Sequence, residues 1–141
     1  MKQTLAIAGA LALIITPTAS FADHLVPKES EIRPMGDLAH ADLSGVNLSN
    51  ADLSGAKLRL TDLEGANLSG ADLSDTNLTL ANLQDANLIR ANLQDANLYV
   101  SKMTGANLKG ANLNGADLNN AEVSNTILSG ADLSELSLIH I

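Results

Sequence analysis

A five-residue repeat runs through most of this chain of 141 residues. From Ala41 to Glu135 the sequence divides into nineteen consecutive frames of five residues, without an insertion or a slip. The first position is Ala in fourteen frames, the second is Asp or Asn in fifteen, and the third is Leu in seventeen. Any fold of this chain must therefore place a leucine in the same environment every fifth residue.

A period of five fits neither a straight helix nor a straight strand. Five helical residues advance about 140° beyond a full turn, so successive leucines would spread around the helix and form no apolar face. In a strand, five is an odd number of side-chain alternations, so successive leucines would lie on opposite faces. A corner in every frame solves the problem. The side chains of the first and third positions then point inward, and the fourth and fifth positions form the turn.

Four such corners close a square, so twenty residues make one coil. Coils stacked about 4.8 Å apart pair backbone to backbone, and alternating Leu and Ala fill the narrow interior. Eight of the ten glycines occupy the fifth position, where a type II turn needs a positive φ. Leu60, Leu80 and Val100 occupy the same position, and they predict a different turn type there.

The tandem frames ADLSG, ANLSG and ANLQD resemble the pentapeptide repeat family, whose pattern is A(D/N)LXX. The resemblance extends from Gly36 to about His140. It implies an all-β fold, a right-handed quadrilateral parallel β-helix. With twenty-one frames, such a solenoid would have a little over five coils.

The first 22 residues have the layout of a secretory signal peptide. A basic start precedes the apolar run Leu5 to Ile15, and small residues at Ser20 and Ala22 suit cleavage before Asp23. The alternative is a membrane anchor, but eleven residues span only about 16 Å as a helix, against a bilayer core of roughly 30 Å. We therefore expect a periplasmic or secreted protein.

The chain is predicted to have three parts: a signal peptide (1–22), an N-terminal leader or cap (23–35) and the repeat domain (36–141). Removal of the signal peptide would leave seven basic and sixteen acidic side chains. That balance favours solubility and disfavours binding to nucleic acid phosphates. The chain has no cysteine, so disulfides and thiolate metal sites are excluded.

The residues form no recognisable catalytic or metal-binding set. The three histidines are His24, His40 and His140, and the last two would lie five coils, roughly 24 Å, apart. Asp52 and Asp72 would stack in one column, but Ca²⁺ requires six to eight oxygen ligands. Acidic pairs would lie on a convex surface, without the cleft that separates catalytic pKa values. We therefore expect neither enzymatic activity, nor a cofactor, nor a metal.

Two regions are candidate contact sites. The first is an outward stripe on one corner, beside the only aromatic residue of the predicted mature chain: Leu60, Leu80, Val100, Tyr99 and Arg59. This stripe either binds a protein or only packs neighbouring turns together. The second is the last coil, where the pattern loosens and two copies could meet end to end: Ile127, Leu136, Leu138, Ile139 and Ile141.

These features favour a non-enzymatic structural or protein-interaction module of the bacterial envelope or exterior, which presents flat repeat faces to an unidentified protein partner or to itself. The resemblance also implies an alternative, because some family members are acidic DNA mimics that bind a type II topoisomerase and protect it from quinolones. Predicted export, the absence of Phe from the repeats and five basic residues within them count against that alternative. A third possibility, a sugar or ice binder, depends on fourth-position serines that are irregularly spaced.

Overall fold

The computed structural model describes residues 3–7, 11–15 and 37–138. Near the N-terminus, strands β1 (Gln3–Ile7) and β2 (Leu11–Ile15) pair antiparallel, with Gln3 opposite Ile15. Both strands lie in the predicted signal peptide, whose cleavage remains a prediction, and the leader 23–35 lies outside the described residues. Over the described ranges, no helix is long and apolar enough to cross a membrane.

Residues 37–138 form a parallel solenoid with twenty residues per coil. The second residue of every frame from Asp37 to Asp117 makes a parallel β-bridge with the residue twenty positions later. One such column runs through Asp37, Lys57, Asn77, Asn97, Asp117 and Ser137. Each coil therefore contains four frames and four corners, as the five-residue period predicts.

Backbone hydrogen bonds hold each frame to the coils on both sides. In the middle of the rod, the Leu88 N–H donates to the Asn107 carbonyl at 2.8 Å, and the Asn87 N–H donates to the Ala66 carbonyl at 2.9 Å. The corner itself is closed by the Ala91 N–H, which donates to the Leu88 carbonyl at 3.0 Å. This pattern repeats along the chain, so the position of one frame is fixed by its neighbours as well as by its own sequence.

The core is a column of side chains from the first and third positions. All of these residues from Leu43 to Ala121 are buried, which confirms the predicted inward pair. Three of the buried residues are polar: Thr61, Thr76 and Ser101. The hydroxyl of Thr61 donates to the Leu38 carbonyl at 2.8 Å, whereas within the described residues the Ser101 hydroxyl has no partner.

The two ends of the solenoid differ. In the first coil, Leu43, Leu48 and Leu53 are buried like residues of the middle layers. In the last coil, the equivalent third-position residues Leu133 and Leu138 are 41% and 44% exposed. Within residues 37–138, the N-terminal layer is therefore mostly buried, with Leu38 half-buried, whereas the last layer of apolar side chains is open.

The corners share one backbone conformation, and this corrects a sequence-based prediction. Leu60, Leu80 and Val100 have φ values of 60°, 61° and 56°, in the left-handed region that the corner glycines also occupy. The prediction of a different turn at these three residues was therefore wrong. The reason is that bonds to neighbouring frames impose the corner: the Leu60 N–H donates to the Thr79 carbonyl at 3.1 Å, whatever the side chain at that position.

Candidate functional site

The predicted contact residues come together along one corner of the rod. Leu60, Leu80 and Val100, here called the aliphatic stripe, occupy the same corner in three successive coils. Leu60 and Leu80 are each 39% exposed, and Val100 is half-buried. Arg59 and Tyr99, from the fourth position of the same frames as Leu60 and Val100, are exposed beside the stripe. The structure thus joins all five residues into one apolar ridge with a basic and an aromatic neighbour.

The stripe combines two unfavourable features. A left-handed backbone costs an L-residue roughly 1–2 kcal/mol, with Asn and Asp the usual exceptions among non-glycine residues. Elsewhere the fifth position is mostly Gly, Asn or Asp, and the aliphatic residues are confined to this single corner. Val100 is the least suited of them, because a β-branched side chain with positive φ is a genuine outlier. The stripe therefore combines an unfavourable backbone conformation with exposed apolar area.

Charges of opposite sign stand on the two sides of the stripe, a feature that the sequence analysis missed. Lys57 and Arg59, here called the basic flank, precede Leu60 and are exposed. Asp62 and Glu64, here called the acidic flank, follow Leu60 on the next face. The signal was present in the sequence, but it appears only when the residues on both sides of one corner are compared.

The acidic flank is held in place by an amide from the next coil. The Asn82 side-chain N–H₂ donates to Asp62 Oδ1 at 3.1 Å and to Glu64 Oε2 at 3.2 Å. The backbone N–H of Glu64 also donates to Asp62 Oδ1, at 3.0 Å. The two carboxylates are therefore oriented together on one side of the corner.

Acidic residues are also concentrated on another face of the rod. This acidic face has six acidic residues and no basic one, and comprises residues 51–55, 71–75, 91–95, 111–115 and 131–135. Within it, the Ser74 hydroxyl donates to Asp72 Oδ1 at 2.7 Å, and this bond is the main cause that lowers the pKa of Asp72. A second carboxylate of the face, Asp132, has its pKa lowered in the same way by the Ser134 hydroxyl. Both carboxylates accept hydrogen bonds from their own turns.

The described residues offer little for metal binding or acid–base catalysis. No group of three or more His, Asp and Glu side chains within residues 37–138 is placed to hold a metal ion. His40 is an exposed corner residue, while His24 and His140 lie outside the described ranges.

Asparagine side chains on a further face of the rod form a ladder that joins successive coils. The Asn67 side-chain amide donates to Asn47 Oδ1 at 3.2 Å, and the Asn87 amide donates to Asn67 Oδ1 at 3.2 Å. Each Oδ1 also accepts the backbone N–H two residues later, as Asn87 does from Ile89 at 3.2 Å. These amides are therefore engaged in joining coils and closing turns.

The residues predicted to meet end to end lie in the last coil as far as the structure describes them. Ile127 and Leu138 are 48% and 44% exposed, and Leu136 is half-buried. Ile139 and Ile141 lie outside the described residues. Leu133 belongs to the same open layer but escaped prediction, because its frame follows the regular pattern and nothing within that frame marks its leucine as exposed.

Comparison with known proteins gives one consistent result. The family model described as Pentapeptide repeats matches residues 37–65, 66–105 and 96–135. Among solved structures, a pentapeptide repeat protein (Rfr23) from the cyanobacterium Cyanothece 51142 is 41% identical, with a TM-score of 0.64, over 65% of this chain and 63% of its own. A pentapeptide repeat protein of the Arabidopsis thaliana thylakoid lumen is 36% identical, with a TM-score of 0.44, over 71% of this chain and 66% of its own.

The plasmid-mediated fluoroquinolone resistance protein QnrB1 is more distant. It is 26% identical, with a TM-score of 0.31, over 69% of this chain and 57% of its own. No curated protein sequence matches the chain. The chain thus spans slightly less than two thirds of the length of the first two structures. The family match and the likeness to Rfr23 imply a right-handed quadrilateral β-helix.

Proposed function

The chain belongs to the pentapeptide repeat family, and on that premise we propose that it is a non-enzymatic protein-interaction module whose contact surface is the aliphatic stripe. Members of this family are generally structural or interaction modules. The observation that carries the proposal is the stripe itself, three apolar side chains kept in left-handed corners at an exposed edge. We also infer a right-handed rod of a little over five coils, from the fold of the relatives and the bridges between Asp37 and Ser137.

A rod of this kind suits recognition because its surface is preorganised. Every frame is bonded to the coils on both sides, so little backbone order has to be gained on binding. The stripe adds apolar contact area, and Tyr99 adds an amphipathic ring of the type enriched in protein interfaces. Between the first and last described coils, Leu60, Leu80 and Tyr99 are the large apolar side chains that are exposed.

The stripe can be tested by site-specific photo-crosslinking in cells that produce the protein. A photo-reactive phenylalanine analogue at Tyr99 should crosslink a partner, and the same analogue at Ser54, exposed on the acidic face, serves as the matched control. Replacing Leu60, Leu80 and Val100 with Ser should abolish the crosslinks from position 99 and leave those from position 54 unchanged. If the triple substitution changes no association of the protein, the stripe only packs turns together.

We place this activity in the periplasm or outside the cell. Support comes from the basic start, the apolar run and the small residues before Asp23. The measurement is the intact mass of the protein recovered from its own cells. A chain that begins at Asp23 supports export, whereas a chain that begins at Met1 in the cytoplasm refutes it.

A second contact, between two copies through the C-terminal coil, is favoured by the open last layer. Leu133 and Leu138 expose apolar area that a further coil would cover, and edge strands of this kind readily pair with another chain. The contact is best measured with the stripe removed by the triple Ser substitution. A monomer at micromolar concentration under these conditions would refute it.

The topoisomerase-binding alternative has one observation in its favour, which is the acidic face. A DNA mimic needs a continuous negative surface, however, and the face that carries the Asn47 ladder contains Arg90 and Lys109 but no acidic residue. The direct test is quinolone-inhibited supercoiling by gyrase. Rescue of supercoiling by the purified chain would replace the proposed function with this alternative.

A further inference from the structure

We propose that the occupant of the aliphatic stripe is a second copy of this chain, packed side by side with both rods parallel. The inference rests on the proposed function, because it names the partner of the same surface. It is distinct from the end-to-end contact, since the two copies would meet along their sides. The charges that border the stripe favour this arrangement.

The border of the stripe is self-complementary in its first layer. The basic flank (Lys57 and Arg59) and the acidic flank (Asp62 and Glu64) belong to one stretch of eight residues that wraps around the corner at Leu60. Each flank contributes two charges of one sign. One side of the corner is therefore positive and the other negative at the same height on the rod.

A twofold axis parallel to the rods brings opposite flanks together. Because this axis runs along the stripe, Leu60, Leu80 and Val100 each lie opposite their own copy, and residues beside the stripe pair reciprocally, as in other isologous contacts. The rotation places the face before the corner in one copy opposite the face after the corner in the other. The basic flank of each copy therefore meets the acidic flank of its partner, and it does so twice.

The other two layers of the stripe accept the same arrangement. Around Leu80 the neighbouring side chains are uncharged on both sides: Asn77 and Thr79 before it, Asn82 and Gln84 after it. Around Val100, Tyr99 of one copy lies opposite Lys102 of the other, a pair that suits a cation–π contact. No like charges oppose each other in the three layers.

An antiparallel pair fits the charges less well. In an antiparallel pair centred on Leu80, the layer of Leu60 lies opposite the layer of Val100 in the partner. Each flank would then face the same side of the corner in the partner, two coils further along the rod. The acidic flank would then meet only Lys102, and Lys57 and Arg59 would have no acidic partner. The parallel pair is the arrangement that uses all four flanking charges.

The contact should be weak and salt-sensitive. The stripe extends over two coil spacings, about 10 Å, which is small beside the roughly 800 Å² that each partner buries in a standard interface. Exposed ion pairs are screened at high ionic strength. We therefore expect self-association of the protein at high micromolar concentration in low salt, and a clear decrease in 1 M salt.

The test is a charge exchange followed by sedimentation equilibrium of the protein as recovered from its own cells. One variant carries Lys57→Glu and Arg59→Glu, and the other carries Asp62→Lys and Glu64→Lys. Lysine is acceptable at position 62, because Lys57 and Lys102 already occupy the second position of their frames. Retained circular dichroism and a cooperative urea transition will show that both variants fold, although the lysine variant loses the bonds that Asp62 and Glu64 accept.

Each variant alone should have a dissociation constant for self-association at least about tenfold higher than that of the wild type, because like charges then face each other across the contact. An equimolar mixture should restore association to near the wild-type level, since the exchanged flanks are again complementary. The end-to-end contact cannot produce this rescue, because the four substituted side chains lie on the sides of the rod. A mixture that remains as weak as either variant overturns the proposal, as does a Lys57→Glu/Arg59→Glu variant that associates normally.

The outcomes also separate this inference from the proposed function. A wild-type protein that stays monomeric at millimolar concentration, yet still crosslinks a different protein from position 99, overturns the self-association alone. If the triple Ser substitution changes no association of any kind, both proposals fail.

Discussion

Truncating one leucine in the middle of the rod tests how the core is built. Leu88 is 0% exposed, and its neighbours in the same column are Leu68 and Leu108. Leu88→Ala removes three carbon atoms, which corresponds to about 2.4 kcal/mol of lost transfer free energy at about 0.8 kcal/mol per methylene group. A cavity adds to that loss when the surroundings cannot collapse.

The backbone around Leu88 leaves little room for collapse. Its own N–H and that of Asn87 are bonded to the coils on opposite sides, at 2.8 and 2.9 Å. Closing the cavity would require both coils to move and their hydrogen bonds to lengthen. We therefore expect Leu88→Ala to lower the free energy of unfolding by about 3–5 kcal/mol, in the upper part of the range for buried leucines.

Leu133→Ala provides the matched control, since Leu133 occupies the same position of its frame in the open last layer. It is 41% exposed, so its truncation leaves no closed cavity and should cost about 1 kcal/mol. Both losses can be measured by urea unfolding followed by far-ultraviolet circular dichroism. The slope of unfolding free energy against urea concentration must also be compared, because solenoid coils can unfold separately. Equal losses at the two positions would refute the view that stacking between coils determines the cost.

Four further substitutions test individual contacts. Ser101→Ala should leave the free energy of unfolding unchanged or raise it by up to about 1 kcal/mol in the same urea assay, because the buried hydroxyl has no partner among the described residues. A loss of more than about 1 kcal/mol would show that the hydroxyl is hydrogen-bonded. Gly65→Ala should lower the free energy of unfolding by about 1 kcal/mol, because of its positive φ alone. Gly105→Ala should lower it further, since the new Cβ would also contact the Asp85 carboxylate. Equal urea midpoints for the two variants would contradict this expectation. The lowered pKa of Asp72 means that its charged form stabilises the fold above the ordinary value of 3.8, and that this contribution is lost as the pH falls through the lower folded pKa. Asp72→Asn should therefore reduce the difference between urea midpoints at pH 7 and pH 2, and an unchanged difference would show that this carboxylate is not involved.

Much of the fold could be predicted because the period is unbroken. In a coil of twenty residues, the environment of a side chain depends on its position within the frame, and this holds from Leu43 to Ala121. The aliphatic stripe was predicted by the same reasoning, since residues twenty apart share a column. The signal peptide remains a prediction from the first 22 residues, and the leader remains one from residues 23–35.

The candidate site could be predicted only in part. The sequence placed Leu60, Leu80 and Val100 together, but the matching of charge across their corner requires two faces to be compared at one height. That comparison requires the position of each corner and the identity of the two faces that it separates. The basic and acidic flanks are therefore evident once the coil is built, and they suggest a partner that the repeat pattern alone does not.

The sequence by itself determined the coil length, the register and the inward pair, because the side-chain pattern repeats every five residues and allows one closed solution. Tertiary structure alone decided the backbone at Leu60, Leu80 and Val100, where local preference favours another turn but hydrogen bonds from adjacent frames impose positive φ. It also decided the exposure of Leu133, whose frame is as regular as those whose leucines are buried. In both cases the outcome depends on contacts with neighbouring coils, and the sequence of a single frame of five residues does not show whether those contacts are present.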